Sequence, residues 1–79
     1  MNQQRLVRLF SIIGQISPYS QLTVHELSQE YEVHPRTIER DIEVLQDAKL
    51  GVYLDENEKI KIHKLGYKKI KQWMSGEGE

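Results

Sequence analysis

The chain has 79 residues, no cysteine and a formal net charge of −1. This length predicts one domain, and the absence of cysteine excludes a disulfide framework or a thiolate metal site and fits a reducing, cytoplasmic setting. No apolar run approaches the ~20 residues of a membrane span, and the N-terminal segment lacks the apolar core and cleavage site of a signal peptide.

The first predicted helix runs from about Asn2 to Gln15. Its apolar residues recur at the three- and four-residue spacing that lines one side of a helix. The predicted buried side consists of Leu6, Leu9, Phe10, Ile13 and Ile16. Ser17 and Pro18 end this helix, and the segment “SPYSQ” is predicted as a loop.

The second predicted helix is short and follows this loop. Thr23 begins it and Glu26 lies three residues later, which is the capping-box pattern, in which each side chain satisfies a free backbone N–H of the other residue. Its apolar side consists of Val24, Leu27 and Tyr31. We expect this helix to end near Glu30.

The third predicted helix runs from Pro35 to about Ala48, within the stretch “VHPRTIERDIEVLQDA”. Proline is favoured at the first helical position because its missing N–H would have no partner there. At roughly 100° per residue, Ile38, Ile42 and Leu45 fall within about 60° of one another, so they form the predicted buried stripe.

The charges of the third helix follow an unusual order. Arg36 and Arg40 lie in its first two turns and Glu43 and Asp47 in its last two, all on the side opposite the buried stripe. A plain surface helix prefers the reverse order, because acidic groups suit the positive N-terminal end of the helix dipole. An exposed position that departs from this charge preference is where a functional role is expected.

After the third helix, the apolar pattern changes from helical to alternating in “GVYLDENEKIKIH”. Val52 and Leu54 share one side of a short strand, and Ile60 and Ile62 share one side of the next, so a β-hairpin with its turn at residues 55–58 is predicted.

The last segment, residues 64–74, predicts a basic helix or an extended arm. Its apolar side consists of Tyr67, Ile70, Trp73 and Met74. The predicted domain spans residues 1–74, and residues 75–79 are predicted to be a disordered tail.

Two helices joined by the four residues “YEVH” and followed by a hairpin describe a winged helix-turn-helix. In that geometry the first turns of the second of these helices enter the major groove of DNA. Arginine is favourable where phosphates and guanine edges lie, and acidic groups are tolerated only away from DNA. We therefore predict a mainly α (α+β) fold with three helices, a two-stranded wing and a C-terminal basic helix or arm. Its predicted function is sequence-specific binding of double-stranded DNA as a small transcriptional regulator.

The stretch “LTVHELSQEYEVHPRTIERDIEVLQDAKLGVYLD” resembles the DNA-binding domain of DeoR-type and WYL-domain transcriptional regulators. Those domains combine a helix, a recognition helix of the pattern V-S-x-R-T-I-x-R-D-I/L-x-x-L and a wing. The residues that carry the resemblance are Val33, Arg36, Thr37, Ile38, Arg40, Asp41, Ile42 and Leu45. The resemblance covers roughly residues 3–63 and implies DNA-binding roles for Arg36, Thr37 and Arg40.

The chain departs from that pattern at two positions. His34 replaces the usual serine at the helix cap, and Glu32 replaces the usual small residue of the turn. Histidine is a poorer cap, but its imidazole could donate to a phosphate. DeoR-type and WYL-domain regulators also carry a large ligand-sensing domain after the wing, so this chain is either a stand-alone regulator or a fragment of a larger one.

Further candidate contacts with DNA lie outside the recognition helix. Thr23, at the start of the second helix, and Arg5 or Arg8 would hold the DNA backbone. Lys59 could face phosphate, although the turn of the wing is acidic, and the lysines of the last segment would add non-specific affinity or form a solvated surface. The predicted DNA-binding residues are His34, Arg36, Thr37, Arg40, Thr23, Arg5, Lys59, Lys68 and Lys69.

Some of these residues also have a simpler structural explanation. Arg40 and Glu43 could form an ordinary surface ion pair, and Thr37 could help to cap its own helix. Asp41 lies at the edge of the buried stripe, so we expect a structural role for it, as the partner of an arginine on the first helix.

The rival to DNA binding is an adaptor for protein partners, which an acidic wing and a net charge of −1 would suit. Its interface would comprise Tyr53, the acidic turn and the last helix with Trp73. The apolar side of that last helix could pack on the first helix or on a second subunit, and the second alternative would make the protein a homodimer that matches a two-fold operator.

The sequence does not indicate catalysis or metal binding. His25, His34 and His63 have neither metal-ligand spacing nor clustered carboxylates beside them. The serines lack a plausible base and a glycine-framed turn, and no phosphate-cradling glycine loop occurs. We therefore expect no enzyme activity, no cofactor, no metal and no small-molecule site.

Overall fold

The computed structural model describes residues 3–75, which form four helices and one two-stranded antiparallel sheet. In chain order the elements are α1 (Gln3–Gln15), α2 (Val24–Glu30), α3 (Pro35–Asp47), β1 (Val52–Leu54), β2 (Ile60–Ile62) and α4 (Lys64–Ser75). The predicted mainly helical α+β class is confirmed, and the last segment is a helix rather than an extended arm. No helix within these residues has the length and apolar character needed to cross a membrane.

The last helix extends one residue beyond the predicted boundary at residue 74. Ser75 is the last residue of α4, although it was expected in a disordered tail. The rest of that predicted tail, residues 76–79, lies outside the described residues, as does Asn2 at the predicted start of the first helix.

The core lies where α3 and the hairpin meet the inner sides of the other helices. From α3 it takes Ile38, Ile42 and Leu45, which confirms the predicted stripe. The hairpin contributes Val52, Ile60 and Ile62. Burying such branched apolar side chains stabilises a small domain by roughly 1.5–3 kcal/mol each, before the entropy of ordering them is subtracted.

The side of α1 that faces the core matches the prediction in part, because Leu9, Ile13 and Ile16 belong to it and Leu6 and Phe10 do not. Leu9, Ile12 and Ile16 are buried, whereas Phe10 is 65% exposed and Leu6 is 46% exposed. Apolar residues occupy most of the circumference of α1, so their spacing alone allows two candidate sides. The packing of α1 on α3 selects the side that carries Ile12, and the predicted burial of Leu6 and Phe10 is wrong.

The end of α2 fixes the turn that leads into α3. The backbone N–H of Val33 donates to the carbonyl of Ser28 at 3.0 Å, and that of Glu32 donates to the carbonyl of Gln29 at 3.3 Å. These two bonds form a Schellman motif, which places the residue after the helix cap in the left-handed region. Glu32 occupies that position with a φ of 54°. The chain thereby changes direction within four residues, so that α3 lies across α2.

The hairpin is anchored to the start of α2 by a short third segment that the sequence did not predict. Within the hairpin, Val52 pairs with Ile62 and Leu54 with Ile60. Beside it, Thr23 forms an isolated antiparallel bridge with Lys59. The N–H of Ile60 donates to the carbonyl of Leu22 at 2.8 Å, and the N–H of Val24 to that of Glu58 at 3.1 Å. The hairpin and the start of α2 are therefore held together by backbone hydrogen bonds.

The last helix, α4, docks closely against the segment that follows α3. A Cβ atom at Gly66 would lie 2.1 Å from the carbonyl oxygen of Leu50, so only glycine allows this approach. Ile70 is buried and Tyr67 is half-buried, but Trp73 is 65% exposed. The predicted apolar side of α4 is therefore only partly packed against the domain, and the side chain of Met74 lies outside the described part of the chain.

Candidate nucleic-acid interface

His34 caps α3. Its φ and ψ are −65° and 144°, and its Nδ1 accepts a hydrogen bond from the backbone N–H of Arg36 at 3.0 Å. Because Nδ1 is the acceptor, the single proton of the neutral imidazole lies on Nε2. His34 therefore both satisfies a free N–H of the helix and keeps an N–H donor on its exposed side.

The two arginines of α3 are exposed, as predicted. Arg36 and Arg40 lie in the first two turns, while Glu43 and Asp47 are exposed toward its end. Among residues 3–75, no ion pair joins Arg40 to Glu43, so the predicted surface-pair alternative for Arg40 is wrong. Within the described residues, the acidic groups at the end of this helix therefore do not form ion pairs with the arginines at its start.

Asp41, between these charges in the sequence, is wholly buried and binds both arginines of α1. Arg8 donates two hydrogen bonds to its carboxylate, one from Nε to Oδ2 and one from Nη2 to Oδ1 at 3.1 Å. The Nε atom of Arg5 lies 3.5 Å from Oδ1 of the same carboxylate. The hydrogen bonds to Asp41 raise the pKa of Arg8 above its ordinary value, against the opposing effect of desolvation. The predicted structural role of Asp41 is confirmed.

A cleft of about 160 Å³ opens between α1 and α3 above this ion pair. Its lining consists of Arg5, Arg8, Thr37, Arg40 and Asp41. Three of the predicted DNA-binding residues, Arg5, Thr37 and Arg40, are thus brought to one place although they come from different helices. Sequence spacing could not reveal this cleft, because it depends on how α1 crosses α3.

Thr23 and Lys59 are also brought together, at the start of α2. The Thr23 hydroxyl oxygen accepts the N–H of Glu26 at 3.0 Å, which is one half of the predicted capping box. Among residues 3–75, the reciprocal bond from the Glu26 side chain is absent. Lys59, across the bridge, donates from Nζ to Oε1 of Gln21 at 3.0 Å. Sequence spacing does not show that these two residues are neighbours, because they lie 36 positions apart in the chain.

Lys68 and Lys69 are exposed on α4, on a different part of the molecule. Their helix docks through Gly66 at Leu50, just beyond the C-terminal end of α3. Since α3 has 13 residues, it is about 20 Å long, and this docking point lies at the opposite end from Arg36. The predicted lysines of α4 therefore do not lie next to the basic start of α3.

No family model, no curated protein and no solved structure matches this chain. Within residues 3–75, no group of three His, Asp or Glu side chains is arranged to hold a metal ion.

Proposed function

We propose that this protein binds double-stranded DNA sequence-specifically as a small transcriptional regulator. In this proposal α2, the turn and α3 form a helix-turn-helix, and β1 with β2 forms the wing. The observation that carries it is the exposed basic start of α3, where Arg36 and Arg40 have no ion-pair partner among residues 3–75. Their charges oppose the helix dipole, and a phosphate backbone would compensate them.

The first turns of α3 would enter the major groove. Arg36 and Arg40 would contact phosphates and guanine edges, and the Nε2–H of His34 would donate to a phosphate. Glu43 and Asp47 follow later in the helix, where it would leave the groove. The resemblance of the turn and of α3 to DeoR-type and WYL-domain regulators belongs to the same proposal.

Fluorescence anisotropy with a labelled random-sequence duplex at two salt concentrations tests this function. We expect binding to weaken steeply with salt, because each neutralised phosphate releases counterions, and to vanish in Arg36→Ala/Arg40→Ala. Lys49→Asn removes one exposed charge beyond the other end of α3 and should retain most of the affinity, unlike Arg36→Ala or Arg40→Ala alone. Asparagine suits residue 49, whose φ is 61°.

Absence of binding at low salt by a folded wild-type protein would overturn the proposal. Equal losses of affinity in Lys49→Asn and in Arg36→Ala would show that only net charge matters. If binding behaves as expected, selection from a random duplex library identifies the operator, and Lys68→Ala should then weaken all sequences alike.

An adaptor for protein partners is the second candidate, and the exposed apolar side of α1 favours it. Leu6, Val7 and Phe10 are exposed there, and Val7 also lines an open groove that reaches Tyr31 and Val33. Apolar groups exposed together are frequent at interaction sites. A homodimer that buries Trp73 stays a prediction, and sedimentation equilibrium of wild type and Trp73→Ser tests it.

A further inference from the structure

The cleft between α1 and α3 has the charge and size of a site for a single anion. Three guanidinium groups and one carboxylate line it, which gives a formal charge of +2. Its volume of about 160 Å³ corresponds to about five water molecules in the liquid. This space is enough for one tetrahedral oxyanion.

The four charged groups of the cleft have different surroundings. Asp41 is buried, and its two oxygens are occupied by Arg8, whose side chain is itself only 13% exposed. Arg5 touches the same carboxylate and yet remains 37% exposed, and Arg40 is exposed beside it. The formal charge of +2 therefore comes from three guanidinium groups around one carboxylate, with Arg8 largely buried, Arg5 half-buried and Arg40 exposed.

We propose that this cleft binds one phosphate group of the DNA backbone, clamped between Arg5 of α1 and Arg40 of α3 with the Thr37 hydroxyl beside them. The proposal rests on the proposed function and sharpens it, because Arg40 becomes a phosphate contact while Arg36 is left to read bases. Guanidinium groups bind phosphate oxygens in pairs of parallel hydrogen bonds, which fixes orientation as well as adding affinity. A phosphate held by two helices would set the depth and register of α3 in the groove.

A methylphosphonate scan tests the clamp, since each substitution removes the charge of one DNA phosphate. The duplex is the sequence selected by the wild-type protein, and the proteins compared are wild type, Arg5→Gln, Arg40→Gln and the charge-matched control Lys49→Asn. We expect one phosphate position to cost the wild-type protein and the control about tenfold in affinity. The same position should cost clearly less than that in Arg5→Gln and in Arg40→Gln, because only one guanidinium group still contacts the phosphate in each variant.

If the two variants reduce the cost of methylphosphonate substitution at different phosphate positions, or at no position, the clamp is overturned even though DNA binding stands. An altered base preference of Arg40→Gln with an unchanged methylphosphonate pattern would also overturn it. Arg40 is exposed, so Arg40→Gln should fold, and circular dichroism checks this for every variant.

A second measurement separates this inference from the proposed function. If the wild-type protein binds no duplex, the Nε–H signals of Arg5 and Arg40 are followed by NMR during titration with inorganic phosphate, against chloride at equal ionic strength. A saturable shift specific to phosphate would establish a phosphate site that serves a ligand other than DNA. Identical responses to both salts would overturn the site itself.

Discussion

Arg8 of α1 and Asp41 of α3 are joined by two hydrogen bonds, with the carboxylate completely buried and the guanidinium nearly so. The two residues are 33 positions apart in the chain, so this pair fixes how α1 crosses α3. The crossing in turn brings Arg5 next to Arg40 and creates the basic cleft. One buried carboxylate thus links the stability of the fold to the shape of the candidate site.

Asp41→Asn should therefore destabilise the protein by about 3 kcal/mol. The substitution keeps the size of the side chain but leaves the guanidinium of Arg8 largely buried with no opposite charge, and breaking such a pair from one side is costly. Urea unfolding followed by circular dichroism measures the change. The control Asp47→Asn removes an exposed carboxylate near the end of the same helix and should change stability by less than about 0.5 kcal/mol. Similar losses in both variants would contradict the structural role of Asp41.

Glu32→Gly should stabilise the protein by about 0.5–1 kcal/mol. A side chain at a φ of 54° carries a steric cost that glycine does not have, and this gain exceeds the extra entropy of glycine in the unfolded chain. Gln29→Gly is the matched control, because residue 29 is exposed and helical and glycine there should cost a similar amount. A loss of stability in Glu32→Gly would mean that the Glu32 side chain makes a compensating interaction in the folded protein.

The sequence predicted the helices and the hairpin well, because each has a local signal. Pro35 marks the start of α3, Thr23 the start of α2, and alternation at Val52 and Ile60 the hairpin. The inner side of α1 was predictable only in part, since Phe10 and Ile12 are both apolar and only tertiary packing distinguishes them. Local patterns specify elements, and contacts between elements decide which side is buried.

The candidate site was predictable residue by residue but not as an arrangement. Arg36 and Arg40 were visible from the charge order of one helix, and a partner for Asp41 on the first helix could be expected from charge alone. The meeting of Arg5 with Arg40, and of Thr23 with Lys59, depends on long-range packing. The spacing of residues within one helix or strand does not show which residues of two different elements become neighbours.

Alanine substitutions at two glycines should have opposite effects on stability. At Gly66 the added Cβ would meet the backbone of Leu50 at 2.1 Å, so α4 must shift and stability should fall by about 2 kcal/mol or more. At Gly14 the added Cβ meets nothing within 4 Å, so Gly14→Ala should stabilise α1 by about 0.5 kcal/mol through helix propensity. Thermal unfolding of both variants measures the difference. An unchanged midpoint for Gly66→Ala would show that α4 does not need its close approach to Leu50.

Acidification should loosen the turn of the hairpin at Asp55. The Asp55 carboxylate accepts the backbone N–H of Lys59 at 3.0 Å and that of Asn57 at 2.8 Å. These bonds, with Lys59 first, lower the pKa of Asp55 below its ordinary value of 3.8, helped by the charges of Lys61 and Lys59. Since the folded pKa is the lower one, the stabilisation is present above the unfolded value and is lost as the pH falls through the folded pKa.

NMR titration from pH 7 to pH 2 checks this directly. The carboxyl carbon of Asp55 should titrate with a midpoint below 3.8, and the amide protons of Asn57 and Lys59 should move with the same midpoint as their hydrogen bonds weaken. Asp55→Asn keeps the accepting oxygen without the charge, so the turn should persist and both amides should lose this pH response. A midpoint at or above 3.8 in the wild-type protein would mean that the carboxylate does not hold the turn in solution.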